Sequence, residues 1–212
     1  PERPDGCAIF VKRDRLKIIS SESMTLALSK ASQDEGELQE EDVYIRAQNQ
    51  VALISALRFV EGQGPSTPII LGTTHLKSSK SGTGERYRKK EMLQLLDRML
   101  KVRKSYEKAA KKDSVVVLAG CFNTLAEQTS YAAPLTYRTI KGHRLGLRSV
   151  YTEDLARSTN RVSGGEIYTT WKSKLKGPFK RESLTKGAID YIFYSEKSLK
   201  RLRVGGAGVQ AT

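Results

Sequence analysis

A chain of 212 residues with 38% hydrophobic content is long enough for one sizeable core, and no break in composition divides it, so one domain is expected over 1–212. Its 37 basic and 23 acidic residues leave a net charge of +14 and a pI near 9.8, which favours a polyanionic partner such as RNA, a phosphorylated ligand or an acidic protein surface. The absence of any apolar run of about 18 residues excludes a membrane-spanning helix. Cys7 and Cys121 are too few for a disulfide framework, so an intracellular setting, mitochondrial or cytoplasmic, is expected.

In chain order, CAIFV at 7–11 and LKII at 16–19 flank the charged turn Lys12-Arg13-Asp14-Arg15 and read as a hairpin. The stretch 29–42 is rich in Ser, Gln, Asp, Glu and Gly and reads as a solvated acidic insertion. VALISALRFV at 51–60 and PIILGTTHL at 68–76, separated by a Gly- and Pro-containing breaker, read as adjacent antiparallel strands. From Gly84 to about Lys112, Met92, Leu95, Leu96, Met99, Val102 and Tyr106 recur at three- and four-residue intervals, the signature of an amphipathic helix. VVVLA at 115–119 suits a short strand buried on both faces. AIDYIFY at 188–194 and LKRLRVGG at 199–206 read as a strand pair, with a basic loop at 172–187 before them.

Several residues stand out for their chemistry. In TTHLKS, His75 and Lys77 are two apart on a strand, so both could touch one phosphate; each also has a plainer reading, a satisfied structural histidine and a solvated lysine. Asp190 sits between Ile189 and Ile192, both expected to be buried, so its charge needs a partner. Lys172, Lys174, Lys176, Lys180, Arg181 and Lys186, continued by Lys197, Lys200, Arg201 and Arg203, could track an RNA backbone. Trp171 suits either core packing or stacking on a base.

Seven segments resemble, in order, the landmarks of one family: DGCAIF (5–10), NQVALI (49–54), TTHLKS (73–78), GERYR (84–88), CFN (121–123), YTTWK (168–172) and AIDYIFYS (188–195). The chain resembles the endonuclease/exonuclease/phosphatase superfamily, in the branch of nocturnin, the angel proteins, the carbon catabolite repressor deadenylases and the mitochondrial 2′-phosphodiesterase. The resemblance implies an α/β fold, a four-layered α/β/β/α sandwich of DNase-I-like type, here incomplete at both ends. It also implies Mg²⁺-dependent cleavage of a phosphodiester, as a deadenylase or other 3′-exoribonuclease, or removal of a 2′-phosphate from a nucleotide. Such chemistry uses a hard divalent cation, an oriented nucleophile and donors for the developing charge.

Carried over residue by residue, the resemblance makes His75 and Lys77 phosphate contacts, Asn123 a donor to the scissile phosphate, and Asp190 the partner of a catalytic histidine. Glu85 and Arg86 become a structural ion pair. Two positions depart from the pattern. Ser79 stands where nocturnin-like members have an arginine that touches phosphate. Cys121 stands where the family has the Asp of Gly-Asp-Phe-Asn, which orients the nucleophile or helps hold the metal. A thiol is soft where Mg²⁺ prefers oxygen, and with an ordinary pKa of about 8.5 thiols are mostly neutral at pH 7. Cys121 therefore reads as a small strand-end residue; a nucleophilic role lacks a sequence-adjacent histidine. The family's upstream metal-binding Glu and its terminal Ser-Asp-His are not in this chain, which holds no expected metal ligand of its own. The expectation is a catalytically degenerate relative that binds RNA or acts as a subunit of a ribonucleoprotein, with protein partners there and no membrane; an active nuclease or phosphatase is the alternative.

Overall fold

The computed structural model describes residues 6–26, 50–79, 82–111, 113–124, 135–151, 169–176 and 181–199, with the backbone alone over 171–186. Among the described residues, eight strands and two helices follow in chain order: β1 (Leu16–Leu26), β2 (Gln50–Phe59), β3 (Ile69–His75), α1 (Gly82–Ala110), β4 (Val115–Cys121), α2 (Leu135–Gly142), β5 (Leu147–Ser149), β6 (Thr170–Lys176), β7 (Arg181–Gly187) and β8 (Asp190–Ser195). Six strands form one mixed sheet in the order β1-β2-β3-β4-β8-β5, and β6 and β7 form a separate hairpin. β3 and β4 run parallel, as strands joined through a crossover helix must, and the other neighbours are antiparallel.

The expected β2–β3 pair and the long amphipathic helix are both present. α1 buries Tyr87, Arg88, Glu91, Met92, Leu95, Leu96, Met99 and Leu100 at helical spacing against one face of the sheet, where Ile54, Ile70, Val116, Leu118 and Phe193 meet it. Gly72 permits this approach: a Cβ there would lie 2.6 Å from the Met99 sulfur. An aromatic cluster of Phe122, Tyr137, Tyr151, Tyr191 and Phe193 fills the space beneath α2.

The opposite face is covered much less. Ile69, Leu71, Val115, Val117 and Ala119 are half-buried, and Ile192 is 43% exposed. This corrects two expectations, since 115–119 is buried on its helix-facing side alone and Ile192 is not buried. Alternation puts Ile192 on the side away from the helices, where the described residues supply no second layer.

Three local expectations also change. Residues 7–11 form no strand; β1 pairs with β2 instead, with Leu16 opposite Phe59, because β2 offers a ladder ten residues long. Of the expected 199–206 strand, the described residue Leu199 is in none, and the ladder it would need is taken: both edges of β8 are filled, by β4 and β5. The basic stretch 172–187 holds strands, with Trp171 opposite Lys186 and Lys176 opposite Arg181. The acidic stretch 29–42 lies outside the described residues.

Candidate functional site

Three of the sequence-selected residues lie in one row at the end of the main sheet. His75 is the register partner of Cys121 in the parallel β3–β4 ladder, and Cys121 is the partner of Asp190 in the antiparallel β4–β8 ladder. Register partners on adjacent strands project from the same side of a sheet, so imidazole, thiol and carboxylate are side by side. His75 is exposed, while Cys121 and Asp190 are half-buried. The ladder continues one step past the row, with the Leu76 N–H donating to the Cys121 carbonyl at 2.9 Å and the Phe122 N–H to that of Ile189 at 2.8 Å.

The bend after β4 depends on backbone conformations that few residues accept. Gly120 has φ +155°, and a Cβ on it would collide with the Thr74 carbonyl oxygen. Asn123 has φ +49°, a left-handed conformation that asparagine tolerates better than most residues. Its Nδ2 donates to the Leu76 carbonyl at 2.6 Å, so the amide helps tie the β4 bend to the end of β3.

A second layer of polar residues braces this end from the helix side. Glu85 accepts from Arg88 Nε at 3.1 Å and Nη2 at 2.7 Å, from the Thr136 N–H at 2.7 Å and from the Thr124 hydroxyl at 3.2 Å. One carboxylate thus joins the start of α1, the segment after β4 and the N-terminus of α2, where a negative charge also suits the helix dipole. Burial raises the Glu85 carboxyl, but the Thr136 N–H and the Arg88 pair outweigh it and hold the group below its ordinary range. Arg88 Nη1 reaches the carbonyls of Lys77 and Ser79, fixing the segment that follows β3.

The partner of Glu85 is therefore Arg88 and not Arg86, which is exposed and reaches Thr83 Oγ1 at 3.3 Å. Residues three apart share a helix face, whereas adjacent ones point about 100° apart. Lys77 is half-buried and lies beyond the last β3–β4 pair, so it is not aligned with His75 by a continuing ladder. Its charge, with that of Arg88, acts on Glu91, a 2%-exposed carboxylate on α1 that sequence reading passed over. The signal was present: Glu91 falls on the same helical stripe as Tyr87, Arg88 and Leu95. Cys7 Sγ lies 3.5 Å from the Val51 carbonyl, and burial pushes its thiol up against the opposing effect of the His75 backbone.

Of the basic run, Lys172, Lys174 and Lys176 are on β6 and Arg181 and Lys186 on β7; Lys180, Lys200, Arg201 and Arg203 lie outside the described residues. The Trp171 side chain is also outside them, though its backbone is in β6. The Thr169 hydroxyl accepts from the N–H groups of Ile189 and Asp190 at 3.0 Å, linking the residue before β6 to the Asp190 end of β8.

A divalent cation of the kind the resemblance implies needs several hard oxygen ligands. The row provides one carboxylate beside a thiol and an imidazole, and no cluster of three or more His, Cys, Asp or Glu suited to a metal occurs among the described residues. The described donor set does not fit Mg²⁺ unaided.

No family model matches the sequence. The chain is 28% identical over 209 residues to Nocturnin from Drosophila melanogaster, covering 93% of this chain and 27% of that protein. The human Nocturnin catalytic domain with bound sulfate superposes with a TM-score of 0.52 at 20% identity over 87% of this chain and 50% of its own. ANGEL2, a 2′,3′-cyclic phosphatase, gives 0.55 at 16% identity over 88% and 57%. TDP2 from D. rerio, complexed with a single-stranded DNA product, gives 0.50 at 19% identity over 88% and 56%. The chain thus spans about a quarter of the fly relative and about half of each solved structure. It has the α/β fold of the endonuclease/exonuclease/phosphatase superfamily and resembles that superfamily's nocturnin and angel branch.

Proposed function

We propose that this chain is part of a catalytically degenerate nuclease-fold protein that binds RNA or serves as a structural subunit of a ribonucleoprotein. The observation that carries this reading is Cys121, set between His75 and Asp190 in the row at the strand ends. A carboxylate in the middle of that row could accept a proton or help hold Mg²⁺; a thiol does neither well, and loss of a general base costs roughly 10²–10⁴-fold in rate. Phosphate contact through Lys77, His75 and Asn123 is compatible with binding without turnover. The charge of +14 and the lysines spaced along β6 and β7 support an RNA partner.

The competing reading is an active Mg²⁺-dependent 3′-exoribonuclease or 2′-phosphatase, favoured by His75, Asn123 and Asp190 gathering at one end of the sheet. Labelled oligoadenylate incubated with the full-length protein and Mg²⁺ separates the two. Intact substrate and salt-sensitive binding are expected; metal-dependent shortening that disappears in Asp190→Ala would overturn the degenerate reading.

A further inference from the structure

The stripe of α1 that buries Leu95 and Met99 also buries a carboxylate that the proposed function does not use. Glu91 is 2% exposed, and its Oε2 has no hydrogen-bond partner among the described residues. A buried carboxylate oxygen without a donor is costly, and packing alone would be served by an apolar residue such as the adjacent Met92. Two positive charges act on it: that of Arg88 on its own helix and that of Lys77 on the segment that follows β3. Arg88 is held by Glu85 and by the carbonyls of Lys77 and Ser79. Lys77 lies at the site end of the sheet, two residues beyond His75.

Resting on the reading of this end as a phosphate site, we propose that Glu91 is the positioning residue and counter-charge of Lys77, and so sets the affinity of the site for an oxyanion. Ionised Glu91 draws the Lys77 ammonium toward α1 and offsets its charge. Neutral Glu91 leaves that charge to a bound anion. Burial pushes the Glu91 carboxyl up to about 7, against the pull of Arg88 and Lys77, so the two forms exchange near neutral pH. By reciprocity, an anion bound at Lys77 makes Glu91 hold its proton more tightly.

The test uses the full chain and sulfate, which keeps two negative charges from pH 6 to pH 8. Calorimetric affinities are measured at both pH values for the wild type, Glu91→Gln, Lys77→Met and the double variant. Comparing variants at one pH cancels any contribution from the exposed His75. Glu91→Gln is expected to bind sulfate about tenfold more tightly than wild type at pH 8 and about equally at pH 6, with no difference in the Lys77→Met background. A ratio that does not change with pH, or a gain that persists without Lys77, overturns the inference.

Carboxyl ¹³C spectra of the wild type decide the matter without reliance on variant folding. A resonance titrating near pH 7, with its midpoint raised by sulfate, is expected; a midpoint near that of an ordinary glutamate, or one unmoved by sulfate, overturns it. Failure of the wild type to bind sulfate at either pH overturns the phosphate-site reading and this inference together. Binding with no dependence on Glu91 overturns this inference alone.

Discussion

Asp190 stands opposite Cys121 in the antiparallel ladder between β8 and β4. Its nearest cross-strand neighbour is thus a thiol, and a carboxylate at position 121 would meet a second carboxylate directly. Like charges in that relation are destabilising and raise one of the two pKa values. Cys121→Asp is expected to lower thermal stability at pH 7 by roughly 0.5–1 kcal/mol, with the gap closing toward pH 4 as the pair takes up a proton. Melting curves of both forms across that range check it, and an equal gap at every pH would count against a coupled pair.

Gly120 is not replaceable by alanine at small cost. The added methyl would meet the Thr74 carbonyl, and φ of +155° is unfavourable for any side chain. Gly120→Ala is expected to lose on the order of 2–4 kcal/mol by denaturant titration and to displace the β3–β4 end that carries His75 and Cys121. A loss under about 0.5 kcal/mol would mean that the bend is easily remodelled.

Arg88 and Arg86 should behave very differently. Removing Arg88 leaves Glu85 enclosed without its counter-charge and frees the carbonyls of Lys77 and Ser79, so Arg88→Ala is expected to cost about 3–5 kcal/mol. Arg86→Ala, on the exposed face, should fall within about 0.5 kcal/mol of wild type. Glu85 is held low, so its contribution is present above the ordinary glutamate pKa and is lost as pH falls through the folded value. Parallel unfolding titrations of the two arginine variants provide the check.

Glu91 has the opposite sign. Its folded pKa of about 7 lies above the ordinary glutamate value of 4.5, so the unfolded chain releases this proton first and the group erodes stability as pH rises from about 4.5 to about 7. Glu91→Gln is expected to gain up to about 3 kcal/mol over wild type at pH 8 and to show no such gain near pH 4. Stability against pH for the two proteins measures it; parallel curves would place the cost of Glu91 elsewhere.

Much of the site could be read from the sequence because its parts are local motifs. His75, Cys121, Asn123 and Asp190 each lie at or beside the end of an apolar run, and a run's end is visible without knowing its neighbours. The meeting of His75, Cys121 and Asp190 in one row depends on the β3–β4 and β4–β8 registers, which the sequence segments do not state separately. The buried stripe of α1 marks Glu91 in the sequence, but its role does not show there, because it depends on the charge of Lys77 in another element.

By itself the sequence determined where α1 and strands β2, β3, β4 and β8 lie, because hydrophobic periodicity is written within each segment. It also determined that Cys121 stands in the resembling motif at the place of an aspartate. Tertiary structure alone decided that β1 pairs with β2, that β8 lies between β4 and β5, and that Arg88 holds Glu85. Those choices are competitions among distant segments for one set of backbone partners and one carboxylate, and a local pattern carries no record of which segment wins.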